Sequence, residues 1–100
     1  SAETVTLRAE LDGIVRAFLD RLDDADRRLL TARFVDGLSQ RDAALALGLG
    51  RQQVRGREAK LRAALLDHLR AHDEGRTIAL LVFGPGLGLP LAELVAEALR

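Results

Sequence analysis

The sequence contains no cysteine, methionine, tryptophan or tyrosine, and its only aromatic residues are three phenylalanines. Without cysteine the chain can form no disulfide, no thiolate nucleophile and no thiol-rich zinc site, which fits a reducing, cytoplasmic location. So few aromatic side chains also leave no platform on which nucleic-acid bases could stack. The core must therefore be aliphatic, and any binding to nucleic acid must depend on charge and hydrogen bonding.

Long apolar runs are missing as well. No run approaches the roughly 20 residues that a membrane-spanning helix needs. Charged residues occur throughout the N-terminal part, where a signal peptide would have an uncharged segment. We therefore expect a cytoplasmic protein with no membrane partner. Because the chain opens with Ser1 and has no methionine, we also expect the natural protein to be longer.

The chain has no net charge, since 15 basic residues balance 15 acidic ones. The two signs are nevertheless separated along the sequence. Acidic residues dominate positions 1–26, whereas positions 51–62 contain Glu58 as their only acid against five cations, namely Arg51, Arg55, Arg57, Lys60 and Arg62. A phosphate backbone responds to this local field, not to the net charge. Charge alone leaves a second interpretation open, that of a solvated helical face.

The remaining composition predicts an all-α fold, because Ala, Leu and Arg dominate it and all three favour helices. Apolar residues at three- and four-residue spacing predict a first helix over residues 6–22. Asp23 or Asp24 is expected to cap a second helix that ends at Gly37. A short helix is predicted from Ser39 to Leu47. A long helix is predicted from about Arg51 to Ala71, with a core stripe formed by Val54, Leu61, Leu65 and Leu69.

The C-terminal part has a different character. Residues 77–83 are a short apolar, strand-like run, residues 84–90 are rich in glycine, and residues 91–99 predict a short amphipathic helix. We expect residues 1–75 to form the main domain and residues 76–100 to be an extension. The apolar run has to be covered, either by the same chain or in a homodimer through residues 77–100. The reach of the glycine-rich stretch favours the dimer, with Leu91, Leu94, Val95 and Leu99 on the partner-facing side.

Residues 39–66 have the pattern of a helix-turn-helix. A tight turn between two helices needs a small residue in the first helix and a residue that accepts a positive φ, and Ala44 and Gly48 fit these positions. If Val54 faces the core, then Gln52, Gly56 and Ala59 face outward, with Gln53, Arg55 and Lys60 beside them. Arg and Gln are the side chains that pair bidentately with guanine and adenine in the major groove.

The segment Arg33-Phe34-Val35-Asp36-Gly37-Leu38-Ser39-Gln40-Arg41-Asp42, followed by Ala44, Gly48 and Val54-Arg55, resembles region 4 of bacterial sigma factors of the sigma-70 type. The resemblance covers about residues 22–69 and extends to Glu58-Ala59-Lys60. It implies a helix-turn-helix that binds the −35 element of promoters in double-stranded DNA and contacts the β flap of RNA polymerase. The sequence departs from the family pattern at two positions. Gly50 stands where the family usually has a capping Ser or Thr, and Arg57 stands where the family usually has an apolar residue.

The same resemblance implies the site residues. Base contacts are expected from the positions of Arg51, Gln52 and Arg55, and phosphate contacts from the position of Arg33 and near Gln40 and Arg41. The DNA-binding set is completed by Gln53, Arg57 and Lys60.

Other chemistry finds little support. His68 and His72 have a spacing that suits a metal ion, but no third ligand is fixed nearby. The glycines at 84–88 lack the spacing and the lysine of a phosphate-binding loop. We therefore expect no metal, no cofactor and no enzymatic activity. Two alternative functions stay open: a stand-alone dimeric helix-turn-helix regulator, and a protein-interaction module that binds RNA polymerase or an anti-sigma factor.

Overall fold

The computed structural model describes residues 2–72 and 88–100, and all regular structure in these two ranges is helical. A wide, π-helical turn at Thr31–Val35 directly follows the second helix. The five described α-helices are α1 (Ala2–Asp20), α2 (Asp24–Leu30), α3 (Gln40–Leu47), α4 (Arg51–Ala71) and α5 (Gly88–Leu99). The predicted all-α fold is thus confirmed, while the strand-like run at 77–83 lies outside the described residues. None of the described helices is both long and apolar enough to cross a bilayer.

The boundary between α1 and α2 is set by a capping aspartate. The sequence predicts a first helix over residues 6–22, but α1 begins at Ala2 and ends at Asp20. It ends early because Asp23 takes an extended conformation, and its carboxylate accepts a 2.8 Å hydrogen bond from the backbone N–H of Asp26. An N-cap residue cannot itself be helical, so the chain has to leave the helix before this point. The predicted cap at Asp23 is confirmed.

The segment after α2 differs from a regular helix. The amide of Asp36 donates to the carbonyl of Thr31 at 2.9 Å, which is a wide turn, and the amide of Leu38 donates to Ala32 at 3.0 Å. Gly37 then takes a positive φ of 72° and ends the helical run where the sequence predicts. The apolar pattern does not distinguish this wide turn from ordinary helix, because both place residues three to five apart on one face.

The core is aliphatic except for Phe18 and lies where the helices meet. The predicted stripe of α4 is buried, since Val54, Leu61, Leu65 and Leu69 are at most 9% exposed. Leu29 and Leu30 of α2 pack against this stripe. The contribution from α1 is made by Leu11, Val15, Phe18 and Leu19.

A histidine connects α1 to α4. Nε2 of His68 lies 3.0 Å from the carbonyl oxygen of Ile14, and Nδ1 lies 2.9 Å from a guanidinium nitrogen of Arg21. Because a guanidinium only donates, Nδ1 must accept and Nε2 must hold the proton. Burial lowers the pKa of His68, and the nearby His72 and Arg21 lower it further, against the opposing effect of the Ile14 hydrogen bond. The neutral imidazole is therefore the form that joins the two helices.

Helix α5 packs on α1 and on the Thr31–Val35 turn. Its residues Leu94, Val95 and Ala96 are buried within the same chain, and an exposed ion pair of 3.2 Å joins Glu97 to Arg8 of α1. Leu94 and Val95, two of the residues that the sequence assigns to a partner-facing side, are therefore used inside the chain. The homodimer through residues 77–100 stays a prediction.

The small residue at position 44 should be essential for stability. Ala44 is 4% exposed and belongs to the core, whereas Ala46 of the same helix is exposed. We expect Ala44→Leu to overpack this contact and to lower the free energy of unfolding by about 1–3 kcal/mol. The matched variant Ala46→Leu should change it by no more than about 0.5 kcal/mol. Urea denaturation checks this, and equal stability of the two variants would contradict the packing of α3 described here.

Candidate nucleic-acid interface

The turn between α3 and α4 has the geometry of a helix-turn-helix. Ser39 is the N-cap of α3, and its hydroxyl accepts a 3.0 Å hydrogen bond from the amide of Asp42, as the sequence predicts. α3 ends at Gly48, which has a φ of 68°. The amide of Leu49 donates to the carbonyl of Ala44 at 2.9 Å, which closes the helix in a Schellman arrangement. The predicted helix-turn-helix is confirmed.

The first turn of α4 is unlike that of the two preceding helices. α2 and α3 have aspartates in their first turns, but α4 has none and begins with Arg51. Gly50 stands at the N-cap and has no side chain that could accept from the first amides of α4. The side-chain oxygen of Gln53 instead reaches back to the amide of Gly50 at 2.8 Å. No residue in the first turn of α4 therefore places an anion at the positive end of the helix dipole, an arrangement that suits a bound phosphate.

The outer face of α4 agrees with the predicted orientation. Val54 is fully buried, while Arg51, Gln52, Arg55 and Gly56 are exposed. Ala59 and Lys60 extend the exposed face by another turn. Polar side chains therefore project at the start of the helix, and small residues follow, which lets a partner approach the helix axis closely.

Two of the predicted DNA-binding residues make contacts within the protein. Gln53 caps α4 through its side-chain oxygen. Arg57 is partly buried and pairs with Asp26 in the first turn of α2. This ion pair explains an arginine at a position where the resemblance leads one to expect an apolar residue, because Arg57 ties α4 to α2 by charge.

Arg33 and Gln40 also meet inside the protein, at the carboxylate of Glu58. Arg33 donates to both carboxylate oxygens, with Nε to Oε2 at 2.9 Å and Nη2 to Oε1 at 3.0 Å. Its third nitrogen, Nη1, donates to the carbonyl of Leu38 at 2.7 Å. The side-chain amide of Gln40 adds a 2.9 Å hydrogen bond to Oε2 of Glu58. Arg41, by contrast, is exposed on α3.

Glu58 is the centre of this cluster, and the sequence-based site does not include it. It is 6% exposed, and burial alone would raise its pKa. The hydrogen bonds from Arg33 and Gln40, together with the charges of Arg33 and Arg62, outweigh this effect and leave the pKa of Glu58 below its ordinary value. A signal for it exists in the sequence: Glu58 is four residues after Val54 and three before Leu61, so it lies on the core stripe, where an acid needs a partner.

Residues 18–65 match the family model of sigma-70, region 4. This part of the chain is a sigma-70 region 4 domain. Region 4 is a DNA-binding helix-turn-helix module of transcription proteins, so the interface described above belongs to a DNA-binding unit. The match begins in α1, ends in α4, and does not include α5. No curated protein and no solved structure shows significant similarity to the chain.

The charge of Glu58 should make the region 4 domain sensitive to acid. Because the folded state lowers the pKa of Glu58, the carboxylate contributes fully to stability above the ordinary Glu pKa of about 4.3, and this contribution is lost as the pH falls through the lowered value. We expect Glu58→Gln to lower the free energy of unfolding at neutral pH by up to about 3–5 kcal/mol, as for other broken buried pairs. The difference from wild type should shrink in acid.

Denaturant titrations at a series of pH values check this expectation. The control is Glu93→Gln, because Glu93 is an exposed residue of α5. That variant should follow wild type at every pH. A wild-type advantage over Glu58→Gln that stays constant from neutral to acid pH would show that the carboxylate charge does not matter.

Proposed function

We propose that the region 4 domain recognises a promoter −35-type element as part of a sigma-factor-like initiation protein, with the start of α4 in the major groove. The observation that supports this most is the row of exposed side chains Arg51, Gln52 and Arg55 at the start of α4, with Gln52 on the side opposite the buried Val54. Arg pairs bidentately with guanine and Gln with adenine, and only the major groove presents these patterns without ambiguity.

The remaining residues take supporting roles in this proposal. Arg41 on α3 and Lys60 on α4 are exposed cations that flank the row, and we assign them phosphate contacts. The first amides of α4 add a site for a backbone phosphate. Gln53 and Arg57 border the same face, where their capping and ion-pair contacts fix the direction of the helix.

RNA polymerase is the proposed protein partner, through its β flap, with an anti-sigma factor as a second class of partner. We infer both partner classes from the sigma-70 region 4 family, to which residues 18–65 belong.

The alternative of a stand-alone dimeric regulator is less well supported, because α5 buries Leu94 and Val95 against its own chain.

Substitutions on α4 should separate base contacts from phosphate contacts. We expect Arg51→Ala or Gln52→Ala to weaken binding to a preferred duplex by about 1–3 kcal/mol and to reduce its preference over a scrambled duplex. Lys60→Ala should weaken both duplexes equally, because a phosphate contact contains no sequence information.

Fluorescence anisotropy measures these affinities, with a duplex enriched from a randomised pool and a scrambled duplex of the same composition. Arg16→Ala is the control, since Arg16 is an exposed cation of α1, distant from the proposed interface in sequence. If the three α4 variants bind both duplexes as wild type does, the proposed interface is wrong.

Gly56 offers a second test, in which stability and binding should move in opposite directions. A methyl group at Gly56 would meet no protein atom within 4 Å, and the same is true of Gly13 in α1. Either glycine-to-alanine change should therefore stabilise its helix by about 0.5–1 kcal/mol. If bases lie against α4, only Gly56→Ala should also weaken DNA binding. Thermal melts and anisotropy titrations compare the two variants, and equal DNA affinity would argue against a close approach at Gly56.

A further inference from the structure

The Glu58 network joins three parts of the helix-turn-helix. Glu58 lies on α4 less than one turn after Arg55, on the buried side of the helix. Its carboxylate accepts from Arg33 of the Thr31–Val35 turn and from Gln40, the first residue of α3. One buried side chain thus fixes α4 relative to both preceding elements.

The covalent connection between α3 and α4 cannot do this alone. It consists of Gly48, Leu49 and Gly50, and glycine permits a wide range of backbone angles. Contacts across the turn, such as those of Ala44 and Val54 in the core, restrain one end of the pair. The Glu58 carboxylate is a second restraint farther along α4. One point of contact leaves the angle between α3 and α4 undefined, whereas two separated points of contact fix it.

Arg33 uses three of the five N–H groups of its guanidinium inside the protein. All three nitrogens donate inside the protein, two to Glu58 and one to Leu38, and the side chain is 22% exposed. A phosphate could pair with the two-pronged Nε–Nη2 edge of Arg33 only by displacing the buried carboxylate of Glu58, which would then lose this partner. Arg41 and Arg51, in contrast, are exposed.

We propose, resting on the DNA-binding role above, that Arg33 and Gln40 act on DNA through Glu58. They are positioning residues that hold α4 at the angle needed for base contacts, not phosphate ligands. This differs from what the family resemblance implies for these two positions. Glu58 thereby takes a role in sequence preference, although a DNA phosphate would repel its negative charge.

Salt dependence distinguishes the two roles of Arg33. Each phosphate that a cation neutralises contributes about 0.9 to the slope of log affinity against log salt concentration. Removing a phosphate ligand lowers this slope by that amount and weakens all duplexes alike. Removing a positioning residue leaves the slope unchanged and weakens binding to the preferred duplex most. The reason is that base contacts form with the preferred duplex and not with the scrambled one, so only the preferred duplex can lose them.

The experiment uses the full chain with Arg33→Lys, Arg33→Ala, Glu58→Gln and the comparison variant Arg41→Ala. Lysine keeps the positive charge of Arg33 but loses its two-pronged pairing with a carboxylate. Affinities for the enriched and the scrambled duplex are measured over a series of salt concentrations. Circular dichroism confirms that each variant is folded at the temperature used.

We expect Arg33→Lys and Glu58→Gln each to reduce the preference for the enriched duplex by about tenfold, roughly the value of one base contact, at unchanged slope. The double variant should be no worse than either single variant, because both remove the same link. Arg41→Ala should lower the slope by about 0.9 and leave the preference intact. If either Arg33→Lys or Glu58→Gln does not fold, Gln40→Ala keeps the Arg33–Glu58 pair and should still reduce the preference.

Three outcomes would overturn the proposal while leaving the DNA-binding role intact. The first is an Arg33→Lys variant that binds both duplexes as wild type does. The second is an Arg33→Ala variant whose slope falls by one phosphate contact. The third is a Gln40→Ala variant that weakens both duplexes equally. A wild-type chain that binds no duplex from the pool would instead contradict the proposed function itself, and this inference with it.

Discussion

The carboxylate of Glu58 accepts hydrogen bonds from Arg33 and Gln40 in the interior, and through it α4 is joined to α3 and to the wide turn after α2. Burying a carboxylate is costly unless its hydrogen bonds are fully replaced. Here they are replaced, and in the described part of the chain every buried side-chain nitrogen or oxygen has a partner. Such a pair adds little net stability over apolar packing, and we propose that its main effect is to fix the geometry of the DNA-binding unit.

Separation of charge along the sequence explains how a chain without net charge can bind DNA. Several of the acids are used within the protein, since Asp23 caps α2 and Asp26 pairs with Arg57. The exposed cations at the start of α4 face no acid in their own first turn. The start of α4 therefore has an excess of positive charge although the total charge is zero.

The sequence predicts those features that depend on local rules. Periodicity and capping determine the bounds of α4, the cap at Asp23 and the positive φ of Gly48, and all three agree with the structure. The wide turn was not predicted, because its apolar pattern is the same as that of an ordinary helix. The sequence does not decide whether α5 packs on its own chain or on a partner, because this depends on neighbours distant in the chain. The same holds for the site: exposure at Gln52 follows from the helical wheel, whereas the partner of Arg33 is 25 residues away.

The central claim is that the start of α4 is the DNA-binding surface. Nuclear magnetic resonance of the isotope-labelled chain, titrated with the enriched duplex, tests it residue by residue. The largest amide shifts should occur at residues 51–60, with smaller ones at the start of α3 and almost none at Leu94 and Val95 in α5. Shifts concentrated in α1 and α5, with residues 51–60 unchanged, would contradict it.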